Sequence, residues 1–220
     1  MKLLQKFKEK INGEKIIYHG RIEGGLTKIE PHKCKHKKAY VYASYNIPLC
    51  IIFGVKRTGE NIDFGVTKFG KPYITEFYEG AFEDRFKNRP CYLYKLKEKD
   101  FKLDTEYFER VSEKPVEVVD CVEIKDSAEY LLNLAKKRKL KLTRFNKLSK
   151  KQITENTKIL TKRITDYLIF KEASKEEYKN LDRDAKIHND ITLERKNFCL
   201  KKFPELVKQI EESLKNKSNQ

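Results

Sequence analysis

The chain has 220 residues, 39% of them hydrophobic, and a formal net charge of +16. That is enough apolar material for a packed core, which excludes an intrinsically disordered chain. The longest apolar run, Ile47 to Val55, is far shorter than the roughly 20 residues of a membrane helix, and the first residues turn charged at Lys2, so a soluble, cytoplasmic protein is expected.

Residues 1–12 place Leu3, Leu4, Phe7 and Ile11 at helical spacing, which predicts an amphipathic helix. A strand over Glu14 to Tyr18 follows and runs into His19-Gly20. After a polar loop, Ala39 to Ala43 alternates as a strand, with Tyr40 and Tyr42 on one face. Ser44-Tyr45-Asn46 offers an N-cap to a short apolar helix, Ile47 to Phe53, whose first turn tolerates Pro48. Residues 61–78 read as a hairpin turned at Phe69-Gly70-Lys71-Pro72. A helical turn is expected over Ala81 to Lys87 and a strand over Cys91 to Leu96. Two extended segments follow, Tyr107 to Ser112 and Val116 to Val119. Asp126 caps a helix carrying Ala128, Leu131, Leu132, Leu134 and Ala135, and Leu140 to Phe145 reads as a last strand. From Ser149 the pattern is helical, with Ile153, Leu160, Ile164 and Leu168 in one helix and Phe198 to Leu214 in another. No glycine occurs after Gly80. The expected fold is α+β. A mixed, largely antiparallel split sheet with short helices occupies residues 1–146, and a basic helical region occupies 147–220.

The five cysteines form no C-x-x-C pair, which argues against a disulfide framework or a zinc ribbon. His32-Lys33-Cys34-Lys35-His36 is the one cluster of ligand-type residues. With no second pair to complete four ligands, no metal site is expected. The charge is concentrated: Lys136 to Arg163 holds twelve Lys or Arg against one acid, Glu155. This segment is a candidate surface for nucleic acid or another acidic macromolecule. Across the chain Lys outnumbers Arg by 39 to 10, whereas bidentate phosphate and guanine contacts favour Arg, so many of these lysines are expected simply to solvate the surface.

A strand ending in His19-Gly20, a second strand ending in Tyr42-Ala43-Ser44-Tyr45-Asn46, and a short apolar helix together resemble the first half of the ADP-ribosyltransferase fold. The likeness is to the branch of the diphtheria-type toxins and poly(ADP-ribose) polymerases, whose signature is a His, a Tyr and a Glu on three separate strands. It covers about half the chain. It implies NAD as substrate and, as catalytic residues, His19, Tyr42 and Glu109. Tyr42 and Phe53, eleven positions apart, would sandwich the nicotinamide ring, and the Gly20 backbone would meet its carboxamide. His19 would hold the adenosine ribose, and Glu109 would stabilise the oxocarbenium-like cation that forms as nicotinamide leaves. Glu76, also in an aromatic strand, competes with Glu109 for that role. Arg21 stands where the family has Ser or Thr, and Phe53 lacks the usual hydroxyl. Two other readings stand beside this one. One is a non-enzymatic nucleic-acid-binding protein. The other is an interaction module of a phage-like or mobile element that docks a partner through the helical tail.

Overall fold

The structure, a computed structural model, describes residues 10, 11, 13–33, 38–56, 59–103, 109–181 and 183–218. In chain order, strands β1 (Lys10–Ile11), β2 (Glu14–Arg21), β3 (Lys28–Ile29), β4 (His32–Lys33) and β5 (Ala39–Ser44) precede helix α1 (Ile47–Gly54). Strands β6 (Ile62–Val66) and β7 (Pro72–Glu76) lead to α2 (Ala81–Phe86) and β8 (Cys91–Lys97). Then come β9 (Lys102–Leu103), β10 (Glu109–Ser112), β11 (Val116–Ile124), α3 (Ser127–Lys136) and β12 (Lys141–Thr143). Helices α4 (Lys150–Leu168), α5 (Lys175–Asn180), α6 (Arg183–Lys202) and α7 (Pro204–Ser218) end the described chain. The class is α+β. No helix of the described residues is long and apolar enough to cross a membrane.

Most of the helix expected over residues 1–12 lies outside the described residues. Its last part, Lys10–Ile11, is extended instead and pairs with β2. Likewise Cys34 to His36 of the alternating cluster, and Tyr107 and Phe108, lie outside them.

The chain divides into two units. The first takes the described parts of Met1–Lys56, Phe64–Thr75 and Phe82–Thr143. Its main sheet runs β3-β11-β8-β2-β5-β10-β9, with β1 on β2 and β4 on β5. The neighbouring strands of this sheet are antiparallel. The short segment from Lys28 to Lys33 explains its curl: β3 pairs with β11, while β4, two residues further on, pairs with β5. Inside the curl lie Ile17, Ile29, Val41, Ala43, Tyr94, Leu96, Phe101 and Val116. Apart from Phe101, which precedes β9, these are inward positions of the strands, whose side chains alternate between the two faces.

Helix α1 covers the other face of β2. Its apolar run buries Pro48, Leu49, Cys50, Ile51, Ile52 and Gly54. Two glycines allow the close approach: a side-chain carbon at Gly20 would lie 1.9 Å from the Cys50 carbonyl oxygen, and one at Gly54 2.6 Å from Cys91 Sγ. Asn46 is the N-cap without a side-chain cap bond; instead Ser44 Oγ accepts from Asn46 N at 3.1 Å. The expected hairpin forms from β6 and β7, closed by Thr67 N donating to the Lys71 carbonyl and by Gly70 at φ +79°. It is not a member of the main sheet; β7 pairs in parallel with β12 to give a separate three-stranded sheet. Asp126 caps α3, accepting from Ala128 N at 2.8 Å and Glu129 N at 3.2 Å.

The second unit takes the described parts of Arg57–Asp63, Glu76–Ala81 and Arg144–Gln220. Its core joins Phe77 to Leu160, Ile164, Cys199, Val207 and Ile210. Helix α4 begins with a capping box between Ser149 and Gln152. Buried Glu60 anchors this unit, accepting from Arg163 at 2.7 Å and from the Tyr167 hydroxyl.

Candidate functional site

Of the residues singled out in the sequence, His19, Tyr42 and Glu109 fall on three neighbouring strands, β2, β5 and β10. Their register is set by one straight row, Tyr18↔Ser44 and Glu109↔Ser44. Strands β5 and β10 stay paired through Val111↔Tyr42 and Ser112↔Val41, but β2 and β5 are paired only at Tyr18↔Ser44. Past that point the His19 side chain spans the interval, its Nδ1 lying 2.5 Å from the Tyr42 carbonyl oxygen.

This bond determines the state of the ring. A carbonyl oxygen only accepts, so Nδ1 carries the proton. His19 is 7% exposed, and burial, the largest cause, pushes its pKa down to about 4. The bond to Tyr42 works in the opposite direction, and the charges of Arg21 and His32 depress the value further. At neutral pH the ring is therefore uncharged and Nε2 is a bare acceptor. It is buried and has no hydrogen-bond partner.

Strand alternation directs Tyr42 and Glu109 to one face of the sheet and His19 to the other. The link between His19 and Tyr42 thus runs through the Tyr42 backbone. The Tyr42 ring stands edge-on to Tyr40 at 5.9 Å and to His32 at 6.3 Å. Phe53 is 55% exposed on α1 and meets Phe64 edge-on at 5.4 Å. Gly20 has its missing side chain accounted for by the packing of α1. Glu109 is half-buried, and its charge contributes to raising the Cys50 thiol, whose main cause is burial.

The competing glutamate is employed elsewhere. Glu76 is 2% exposed at the end of β7; its carboxylate accepts from Arg144 at 3.0 Å and from Phe145 N at 2.9 Å. Asn156 donates to its carbonyl at 3.2 Å. Glu76 is a structural clamp on the start of the helical region.

The three buried cysteines among the described residues are poor nucleophiles. Burial raises Cys50, and pushes both Cys91 and Cys199 up to about 12, so these thiols stay protonated at neutral pH. Among the described residues no group of three or more His, Cys, Asp or Glu could hold a metal ion. No protein-family model, no curated protein and no solved structure matches this chain.

In the basic segment two arginines are engaged within the fold while lysines of α4 face solvent. Arg144 and Arg163 are spent on Glu76 and Glu60. Lys150, Lys151, Lys158 and Lys162 are exposed on α4, where Ile153, Thr154, Thr157, Lys158, Thr161 and Lys162 line a shallow depression. The Thr154 and Thr157 hydroxyls donate back to the helix carbonyls of Lys150 and Ile153, and Lys158 donates to Glu155 at 3.1 Å, which leaves the ammonium groups of Lys150, Lys151 and Lys162 as donors of this surface. The Glu60–Arg163 pair was not foreseeable, because its partners are 103 residues apart.

Proposed function

We propose that the chain is an NAD-binding protein of ADP-ribosyltransferase type that transfers ADP-ribose to a macromolecule in the cytoplasm. The observation that carries this reading is the neutral His19 ring, with an unpartnered acceptor nitrogen, beside the single paired position of β2 and β5. Such a nitrogen takes a hydrogen-bond donor, and a ribose hydroxyl is one. The neighbouring strands carry Tyr42 and Glu109, on the face of the sheet opposite to His19. Glu109 supplies negative charge where the ribose becomes cationic as the bond to nicotinamide breaks. Phe53, exposed on α1, supplies the second aromatic surface. Calorimetric titration with NAD tests the reading, with His19→Gln as the comparison. Binding that weakens at least about tenfold in the variant is expected, as for loss of a buried hydrogen bond; absence of heat at millimolar NAD overturns it.

A second reading is favoured by the exposed lysines of α4: a polyanion-binding surface for nucleic acid, which on the transferase reading would engage the target. Attraction of this kind acts through phosphates and falls steeply with salt. Anisotropy of a labelled oligonucleotide at low salt tests it, and no binding of either single-stranded or duplex probes removes it.

A further inference from the structure

Arg21 follows His19 by two residues on β2, so both side chains leave the strand on the same face, with Cα atoms roughly 7 Å apart. Arg21 is half-buried. Its Nε is buried without a hydrogen-bond partner, and no salt bridge to its guanidinium occurs among the described residues. Three other half-buried arginines differ: Arg110 has Glu98 at 3.1 Å, Arg144 has Glu76 at 3.0 Å and Arg163 has Glu60 at 2.7 Å. A buried Nε–H without an acceptor is costly, and the rest of the guanidinium is free to take an anion from solvent. Beside it the buried Nε2 of His19 is also without a partner.

The two groups are chemically opposite. Nε2 accepts and cannot donate, so it takes a hydroxyl rather than a phosphate oxygen. Arg21 only donates, in a planar fork suited to phosphate oxygens. A ligand that carries a hydroxyl and a phosphate a few ångströms apart matches both. The walls are fixed: Tyr94, opposite His19 on β8, donates its hydroxyl to the Glu23 carbonyl at 2.8 Å and accepts from Leu26 N at 3.2 Å. Tyr92, opposite Arg21, is covered by Gly24, where a side-chain carbon would lie 2.5 Å from the ring.

We infer that His19 and Arg21 form one subsite for a sugar phosphate, the imidazole accepting from a sugar hydroxyl and the guanidinium holding the adjacent phosphate. The inference deepens the transferase reading and rests on it for the sugar as ligand; the phosphate contact needs no nicotinamide. Calorimetry with ADP-ribose, NAD and adenosine tests it on the full chain and on Arg21→Gln. ADP-ribose is expected to bind the unaltered chain more tightly than adenosine does. Arg21→Gln is expected to lower its affinity about tenfold or more, as for loss of a charge-assisted contact, with adenosine unaffected. Ribose 5-phosphate is expected to displace ADP-ribose from the unaltered chain where ribose does not, a readout independent of the variant's folding. Equal displacement by ribose, or equal ADP-ribose affinity in a folded Arg21→Gln, overturns the subsite. If NAD still binds in that case, the transferase reading survives. Arg21-dependent binding of ADP-ribose without binding of NAD has the reverse meaning, and binding of neither removes both.

Discussion

The His19 ring and the Tyr42 carbonyl, 2.5 Å apart, hold each other across the interval between β2 and β5. Because burial outweighs that bond and keeps the ring neutral, the charge state of His19 couples the fold to pH.

The pKa of His19 is about 4 in the folded chain and about 6.5 in an unfolded one. Above pH 6.5 both states hold a neutral ring and stability is undiminished. As the pH falls from 6.5 to 4 the unfolded state binds the extra proton, so stability is lost over that window, by up to about 3 kcal/mol. Denaturant unfolding followed from pH 7 to pH 4 should show this loss, and His19→Gln should remove its share of the slope. An unchanged slope in that variant would show that the ring titrates normally.

Gly20→Ala is expected to destabilise the first unit, since the new carbon would lie 1.9 Å from the Cys50 carbonyl. Relief requires α1 to shift from β2, at about 1–3 kcal/mol for an overpacked core. A lowered thermal midpoint checks this; a midpoint equal to that of the unaltered chain would show that α1 is free to move.

Glu76→Ala removes the acceptor for both Arg144 and Phe145 N. Taking this buried carboxylate from a part-buried amide and a half-buried guanidinium should cost about 3 kcal/mol. Chemical denaturation provides the measurement, and a change below about 0.5 kcal/mol, the usual range for a surface position, would place Glu76 outside the structural clamp.

Replacing Lys150, Lys151, Lys158 and Lys162 on α4 together with Gln should leave stability nearly unchanged, because all are exposed. On the nucleic-acid reading the same change should flatten the dependence of log affinity on log salt by roughly 3 to 4 units, about 0.9 per lost phosphate contact on duplex DNA. Anisotropy titrations between low and moderate salt measure the slope; equal slopes would assign these lysines to surface solvation.

Much of the architecture was legible because it depends on neighbours in the chain. Asp126 and Ser149 cap α3 and α4 by bonds to amides within three residues, and the alternation of Ala39–Ser44 needs no distant partner to be read as a strand. The site was legible only as residue types: a His-Gly at one strand end, a tyrosine on another strand and a choice of glutamates. Partner choice was the tertiary structure's to make. Glu109 sits beside the tyrosine strand because β10 pairs with β5, while Glu76 is consumed by Arg144, 68 residues away in sequence. The hairpin of β6 and β7 was readable from its turn, yet its parallel pairing with β12 arises from a strand beyond α3. Gly20 looked like room for a ligand and serves the packing of α1. Arg21 looked like a departure from a motif; burial without an anion is what makes it informative. Local hydrogen bonds and alternation are written in consecutive residues, so sequence alone determined most of the elements, though not the extended Lys10–Ile11 or the break between α6 and α7 at Phe203. Desolvation and pairing of charge depend on what the folded chain brings alongside, so only the tertiary structure decided which polar groups are satisfied and which still await a partner.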